Sequence, residues 1–178
     1  MVPLLEMSNI FLVGFMGAGK SSVGEALGHH LGYRFVDLDD RLSKRFGMSI
    51  SSVFEAHGEA AFRAAEREEL AVCAGLEDVV VATGGGAFCD DENRKIIHSS
   101  DAVSVFLDVP WPVLQERLEK DHMGRPMYDN APRVRALFEE RLPHYRRAVV
   151  TTVLEGSEVP AEVARLIVRT LQEAPCAT

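Results

Sequence analysis

The sequence predicts one α/β domain in three layers, with helices covering both faces of a five-stranded parallel sheet. Three observations carry this. Short, nearly continuous apolar runs alternate along the chain with segments of helical period, the pattern of strands buried on both faces by crossover helices. A length of 178 residues suits one domain with a full core and is short for two. No internal repeat, low-complexity tract or linker interrupts the alternation, so residues 8–173 read as a single domain.

NIFLVG (9–14) is a continuous apolar run ending at glycine, the first strand. Lys20–Leu31 follows as a helix, with Val23, Leu27 and Leu31 on one stripe. RFVDLD (34–39) is the second strand, and its alternation puts Asp37 and Asp39 on the same side. Residues 40–75 read as helical, with breaks near Gly47 and Gly58. DVVVAT (78–83) is the third strand, followed by Gly84-Gly85-Gly86, and a helix is expected around 90–98. AVSVFLD (102–108) is the fourth strand; Pro110 and Pro112 then stand where a helix over VLQERLEK begins. Residues 121–132, DHMGRPMYDNAP, have no periodicity and form a polar loop of a length that is usually functional. A helix over 133–147, a fifth strand at 148–154 and an amphipathic helix at 160–172 complete the order.

Apolar residues at 47% and charged residues at 26% match an ordinary globular chain. A net charge of −8 disfavours a general binder of nucleic acid or anionic membrane. Cys73, Cys89 and Cys176 are far apart, odd in number and without a CxxC pair, so they read as reduced thiols of a cytoplasmic protein rather than metal ligands. No apolar run approaches the ~18–20 residues a membrane span needs. The start lacks a basic region and a cleavage site, so no signal peptide is expected, and Met7 is an alternative start. A monomer with neither nucleic-acid nor membrane partner is the expectation.

Gly14-Phe15-Met16-Gly17-Ala18-Gly19-Lys20-Ser21 fits the phosphate-binding pattern G-x-x-x-x-G-K-[ST] at every fixed position, between a buried strand and a helix. The glycines let the backbone turn its N–H groups toward phosphate oxygens, and the helix N-terminus adds partial positive charge. Gly17, Ala18, Gly19, Lys20, Ser21 and Ser22 are thus the candidate ATP-binding residues. Lys20 would reach the β- and γ-phosphates, and Ser21 would ligate Mg²⁺. The loop identifies a nucleotide site but not an acceptor.

Asp37, Asp39 and Asp40 end the second strand, at the sheet edge where open α/β folds bind ligands. One carboxylate can serve the metal and another an acceptor hydroxyl, while a helix-capping role competes, most strongly for Asp40. Asp108 ends a Walker B-like strand but comes late in the chain before Val-Pro, so Asp37 is preferred for the metal. Gly84, Gly85 and Gly86 expose successive N–H groups on the same edge, unless they form only a flexible turn. Arg63 stands among Glu59, Glu66, Arg67, Glu68 and Glu69, where a surface ion-pair face explains most of the charges. The six histidines show no HxxxH or HExxH spacing; His29, His30 and His57 read as surface or capping residues.

Together these segments resemble the shikimate kinases, small P-loop kinases akin to the nucleoside monophosphate kinases. The resemblance covers about residues 8–150. It rests on NIFLVGFMGAGKSSVG, FVDLDD, the GEAAFRAAE helix, VVVATGGGA, Gly124-Arg125-Pro126 and Glu140-Arg141-Leu142-Pro143-His144-Tyr145. It implies transfer of the ATP γ-phosphoryl group to the 3-hydroxyl of shikimate, with Mg²⁺, in aromatic amino-acid biosynthesis. It also implies that Asp37 supports the metal through water and that Asp39 binds ring hydroxyls and is the candidate base. Arg63 and Arg141 would clamp the shikimate carboxylate, Gly85 and Gly86 would add N–H groups, and Arg125 would descend on a lid over 121–132 to bind ATP and neutralise charge on the transferring phosphoryl group. The segment about 40–75 would be the shikimate-binding part. Two features depart from the family: Met127-Tyr128 replace its usual Leu-Leu, and the stretch from Arg125 to Arg141 is a few residues shorter. Another small-molecule kinase, for gluconate or a nucleoside monophosphate, and a non-catalytic nucleotide-binding module are the competing readings.

Overall fold

The computed structural model describes residues 9–120 and 131–173. The strands are β1 (Asn9–Val13), β2 (Arg34–Asp37), β3 (Val79–Ala82), β4 (Ala102–Asp108) and β5 (Val150–Val153). All pair in parallel, in the order β2-β3-β1-β4-β5. The helices are α1 (Lys20–Leu31), α2 (Leu38–Phe46), α3 (Ile50–Ala74), α4 (Asp91–Ser99), α5 (Trp111–Lys120), α6 (Ala131–Tyr145) and α7 (Pro160–Glu173). The expected α/β architecture with five parallel strands is the one observed. A short 3₁₀ turn at Ala87–Cys89, which the sequence pattern did not announce, links the triple glycine to α4.

β1 and β3 are buried along their whole length, which explains why their sequences are apolar without alternation. Asn9, nearly inaccessible at the start of β1, donates to the Leu76 carbonyl at 2.6 Å and accepts from Val79 N–H at 3.2 Å. One side chain thereby ties the entry of β3 to β1 and supports the register Asn9↔Val79. α1 sits close over β2 because two of its residues lack a Cβ. A Cβ on Gly24 would lie 2.4 Å from the Phe35 ring, and one on Gly28 would lie 2.9 Å from the Tyr33 carbonyl.

One boundary differs from the sequence expectation and matters for the site. β2 ends at Asp37, and α2 begins at Leu38. The Asp37 side chain accepts from Asp39 N–H at 3.0 Å and Asp40 N–H at 3.2 Å, so Asp37, not Asp40, caps this helix. Asp39 therefore lies in the first turn of α2, and strand alternation does not set its direction. Both anticipated breaks between 40 and 75 are present. Gly47 ends α2 with φ +67°, and Gly58 kinks α3 with φ +77° and ψ 168°.

Candidate active site

Immediately after β1 the chain turns through three positive-φ glycines, Gly14, Gly17 and Gly19. Only glycine adopts these values cheaply, which accounts for the motif's fixed glycines and its extra Gly17. The loop is anchored from below by Phe15, 1% exposed, whose ring packs edge-on against Phe138 at 5.4 Å and Trp111 at 6.4 Å. α1 then starts at Lys20 with no acidic residue in its first turn, leaving the positive end of its dipole uncompensated from within. Lys20 Nζ donates to the carbonyls of Gly14 at 2.9 Å and Phe15 at 3.0 Å, which holds the ammonium at the loop. Ser21 Oγ donates to Asp37 Oδ2 at 2.6 Å. Asp37 therefore joins three groups, capping α2 with one oxygen and meeting Ser21 with the other. Asp108 ends β4, where its carbonyl accepts from Leu154 N–H at 3.0 Å.

A second cluster forms over Gly84-Gly85-Gly86. None of the three has positive φ, so they are not there for conformational freedom. They are there for space. A Cβ on Gly84 would lie 2.8 Å from Asp39 Oδ1 and 3.1 Å from Glu66 Oε1. On Gly85 it would lie 3.5 Å from Arg141 Nη1, and on Gly86 2.8 Å from Arg63 Nη2. Two carboxylates and two guanidiniums thus press on one bare stretch of backbone, and the flexible-turn reading falls away. Arg63 and Arg141, separated in sequence, meet here with Asp39. Asp40 points to other work, a surface ion pair with Lys44 at 2.6 Å.

Glu66, which the sequence pattern assigned to a surface ion-pair face, is a buried site residue instead. It is 1% exposed, and Arg63 Nη1 donates to its Oε2 at 2.8 Å. Burial pushes the Glu66 carboxyl above its ordinary value; Arg63 opposes the rise, and the charges of Asp39 and Asp90 add to it. Burial works against the Arg63 charge too, but Glu66 and then Glu59 outweigh it and hold the guanidinium above its ordinary value. The only available signal was position: Glu66 follows Phe62, a core residue, by one helical turn. The remaining acids of this helix do behave as a surface face, with Glu68 and Glu69 bridging to Arg45 and Arg41 of α2.

Arg117, within the helix expected over VLQERLEK, is another residue that the sequence pattern did not single out. Its Nη1 donates to the Gly17 carbonyl at 3.0 Å and its Nη2 to Gly156 at 2.9 Å. It thereby braces the phosphate loop against the β5–α7 connection. Beside it lies a cavity of about 240 Å³ lined by Gly17, Gly19, Ser22, Arg117, Glu158 and Pro160. Ala18 also borders this space, so four of the six ATP-binding candidates from the loop and the start of α1 line it. Glu158 shapes the rim by accepting from Glu155 N–H at 2.8 Å and Gly156 N–H at 2.7 Å, and these bonds hold its carboxyl below the ordinary range. Arg125 and the expected lid up to residue 130 lie outside the described residues, as does Cys176.

The two clusters adjoin. A Cβ on Gly85 would stand 3.6 Å from the Met16 nitrogen of the phosphate loop and 3.5 Å from Arg141 Nη1. The phosphate-loop motif thus abuts a recess with two arginines and two carboxylates. A family model described as Shikimate kinase matches residues 16–172. The chain belongs to the shikimate kinase family.

Members of this family are ATP-using kinases, and the chain is an enzyme of that class. The shikimate kinase of Nostoc punctiforme is 36% identical over 174 residues, covering 96% of this chain and 94% of its own. The crystal structure of shikimate kinase from Aquifex aeolicus has a TM-score of 0.81 at 38% identity, covering 92% of this chain and 96% of that one. Shikimate kinase from Acinetobacter baumannii, solved in complex with shikimate, has a TM-score of 0.87 at 31% identity over 96% of each chain. A gluconokinase from Sinorhizobium meliloti is more distant, with a TM-score of 0.58 at 24% identity, and shares the fold.

Proposed function

We propose that the two adjoining clusters carry one reaction, transfer of the ATP γ-phosphoryl group to the 3-hydroxyl of shikimate, giving shikimate 3-phosphate and ADP. The observation that carries this reading is at Gly85, where a single Cβ position would lie 3.6 Å from the Met16 nitrogen of the phosphate loop and 3.5 Å from the Arg141 guanidinium. Lys20, held at the loop by two carbonyls, supplies charge to the β- and γ-phosphates, with Gly17, Ala18, Gly19 and Ser22 around the nucleotide. Asp39 orients the acceptor hydroxyl and takes its proton. Arg63, braced by Glu66, and Arg141 grip the shikimate carboxylate with charge-assisted hydrogen bonds, aided by N–H groups of Gly85 and Gly86. Holding donor and acceptor in line is most of the catalysis in phosphoryl transfers of this kind.

Ser21 and Asp37 fit Mg²⁺. Their oxygens are 2.6 Å apart at the mouth of the loop, and both are hard donors. The described residues hold no group of three or more His, Cys, Asp or Glu arranged for a metal. A cation there would be held by the Ser21 hydroxyl, by Asp37 through water, and by the nucleotide phosphates. When bound, it neutralises charge on the transferring phosphoryl group.

Two arginines over the triple glycine suit an anionic acceptor, a description that gluconate and a nucleoside monophosphate also meet, and the family match is what favours shikimate among the three. A steady-state assay of purified protein with ATP, Mg²⁺ and each acceptor, following ADP, tests this. Turnover is expected with shikimate and is expected to vanish with excess chelator. Faster turnover of gluconate or a nucleoside monophosphate would overturn the reading, as would nucleotide binding with no ADP formed from any acceptor.

A further inference from the structure

We propose that Tyr145 is a positioning residue for the acceptor, its hydroxyl holding the Gly85–Gly86 peptide and the Arg141 side chain in one arrangement. The proposal rests on the reading of Arg141 and the triple glycine as the carboxylate recess. Tyr145 closes α6, is fully buried, and stacks on Phe106 of β4 with ring centres 5.4 Å apart and planes 27° apart. Its hydroxyl donates to the Gly85 carbonyl at 2.5 Å. The Arg141 side chain, one helical turn earlier, lies near enough to the same hydroxyl to act on it.

The three glycine carbonyls have different partners. Gly84 C=O accepts from Ala87 N–H at 3.1 Å and Gly86 C=O from Cys89 N–H at 3.0 Å, both within the local turn. Gly85 C=O is held from sixty residues away, by Tyr145. In a planar trans peptide the C=O and the following N–H point in opposite directions, and the described residues contain no cis peptide. Drawing Gly85 C=O toward Tyr145 therefore turns Gly86 N–H the other way. Without the hydroxyl, three residues lacking side chains have little else to stop this peptide from rotating. Burial pushes the phenol well above its ordinary value, with Cys89 adding and Arg141 opposing, so the hydroxyl stays a donor throughout the physiological range.

Tyr145→Phe removes one oxygen and keeps the stack on Phe106. The expected result is a shikimate KM raised about tenfold, the scale of one buried hydrogen bond lost with its partner left unsatisfied. The kcat and the KM for ATP should stay within about twofold, because Lys20 and Ser21 are untouched. Tyr145→Met, flexible and apolar, deletes the same hydroxyl and serves where the Phe protein does not fold. In an Arg141→Ala background, Tyr145→Phe should add much less than it does alone, because one of its two targets is gone. A variant with lowered Tm but unchanged shikimate KM would reduce Tyr145 to packing and overturn the proposal. A fall in kcat with both KM values raised would overturn it too. If Arg141→Ala itself leaves shikimate KM unchanged, the recess reading fails first; if only Tyr145→Phe leaves it unchanged, the recess stands and the positioning role falls.

Discussion

Glu66 and Arg63 form an ion pair at 2.8 Å in which the carboxylate is 1% exposed and the guanidinium is only half-buried. The buried partner is the fixed one. It holds Arg63 over Gly86, where a Cβ would be 2.8 Å from Nη2, while the exposed Glu59 accepts from Nε and Nη2 at 3.4 and 3.5 Å, longer bonds that a ligand anion can replace.

Glu66→Gln keeps the shape and removes the charge. Arg63 is then held less firmly, and shikimate KM is expected to rise about tenfold with ATP KM nearly unchanged. Stability adds an independent check. The folded-state value of Glu66 is raised, so the native protein keeps a proton that the unfolded chain has released. That contribution is full below the ordinary carboxylate range and is lost as pH rises through the raised value. Thermal melts across this interval should show wild type losing stability relative to Glu66→Gln as pH increases. A constant difference would mean that Glu66 titrates normally.

Lys20→Met should fold and lose at least about a hundredfold in kcat, the scale of removing one group that stabilises charge in the transition state. Its amine anchors to two loop carbonyls that water can also satisfy, so Tm should change little. Near wild-type turnover would remove the loop from the chemistry.

The two acids at the start of α2 should separate cleanly. Asp39 lies against Gly84 within the recess, whereas Asp40 pairs with Lys44 on an exposed face. Asp39→Asn is expected to lower kcat by about 10²–10⁴-fold, the range of general-base catalysis. Asp40→Asn should stay within about twofold, since exposed pairs contribute little. The reverse ranking would reassign the base.

Gly86→Ala and Gly24→Ala test space in two different settings. At Gly86 the added Cβ meets the far end of Arg63, a side chain that can move aside. Stability should be kept while shikimate KM rises. At Gly24 the Cβ meets the Phe35 ring at 2.4 Å inside the α1–β2 contact. There an overpacking cost of about 1–3 kcal/mol is expected in denaturant melts, with substrate KM less affected.

The elements with strong local signals were legible in the chain. β1 and β3 are apolar from end to end, the phosphate loop has a fixed spacing, and Gly47 and Gly58 break helices where their left-handed φ values require. Asp37, Asp39, Arg63, Arg141 and the triple glycine were named through family-like motifs, each a short word in sequence. The strand assigned to 34–39 ran two residues too far, because capping by Asp37 outweighed the alternation.

What the sequence by itself determined was the order of strands and helices and the phosphate loop, since apolar period and glycine conformation are properties of neighbouring residues. The tertiary structure alone decided that Glu66 is buried beneath Arg63, that Arg117 spans Gly17 and Gly156, and that Tyr145 reaches the Gly85 carbonyl. Those contacts depend on which helix face meets the sheet edge. A charged residue on a helix reads the same in sequence whether it faces water or a carbonyl a hundred residues away; only the packing of the apolar stripe chooses between them.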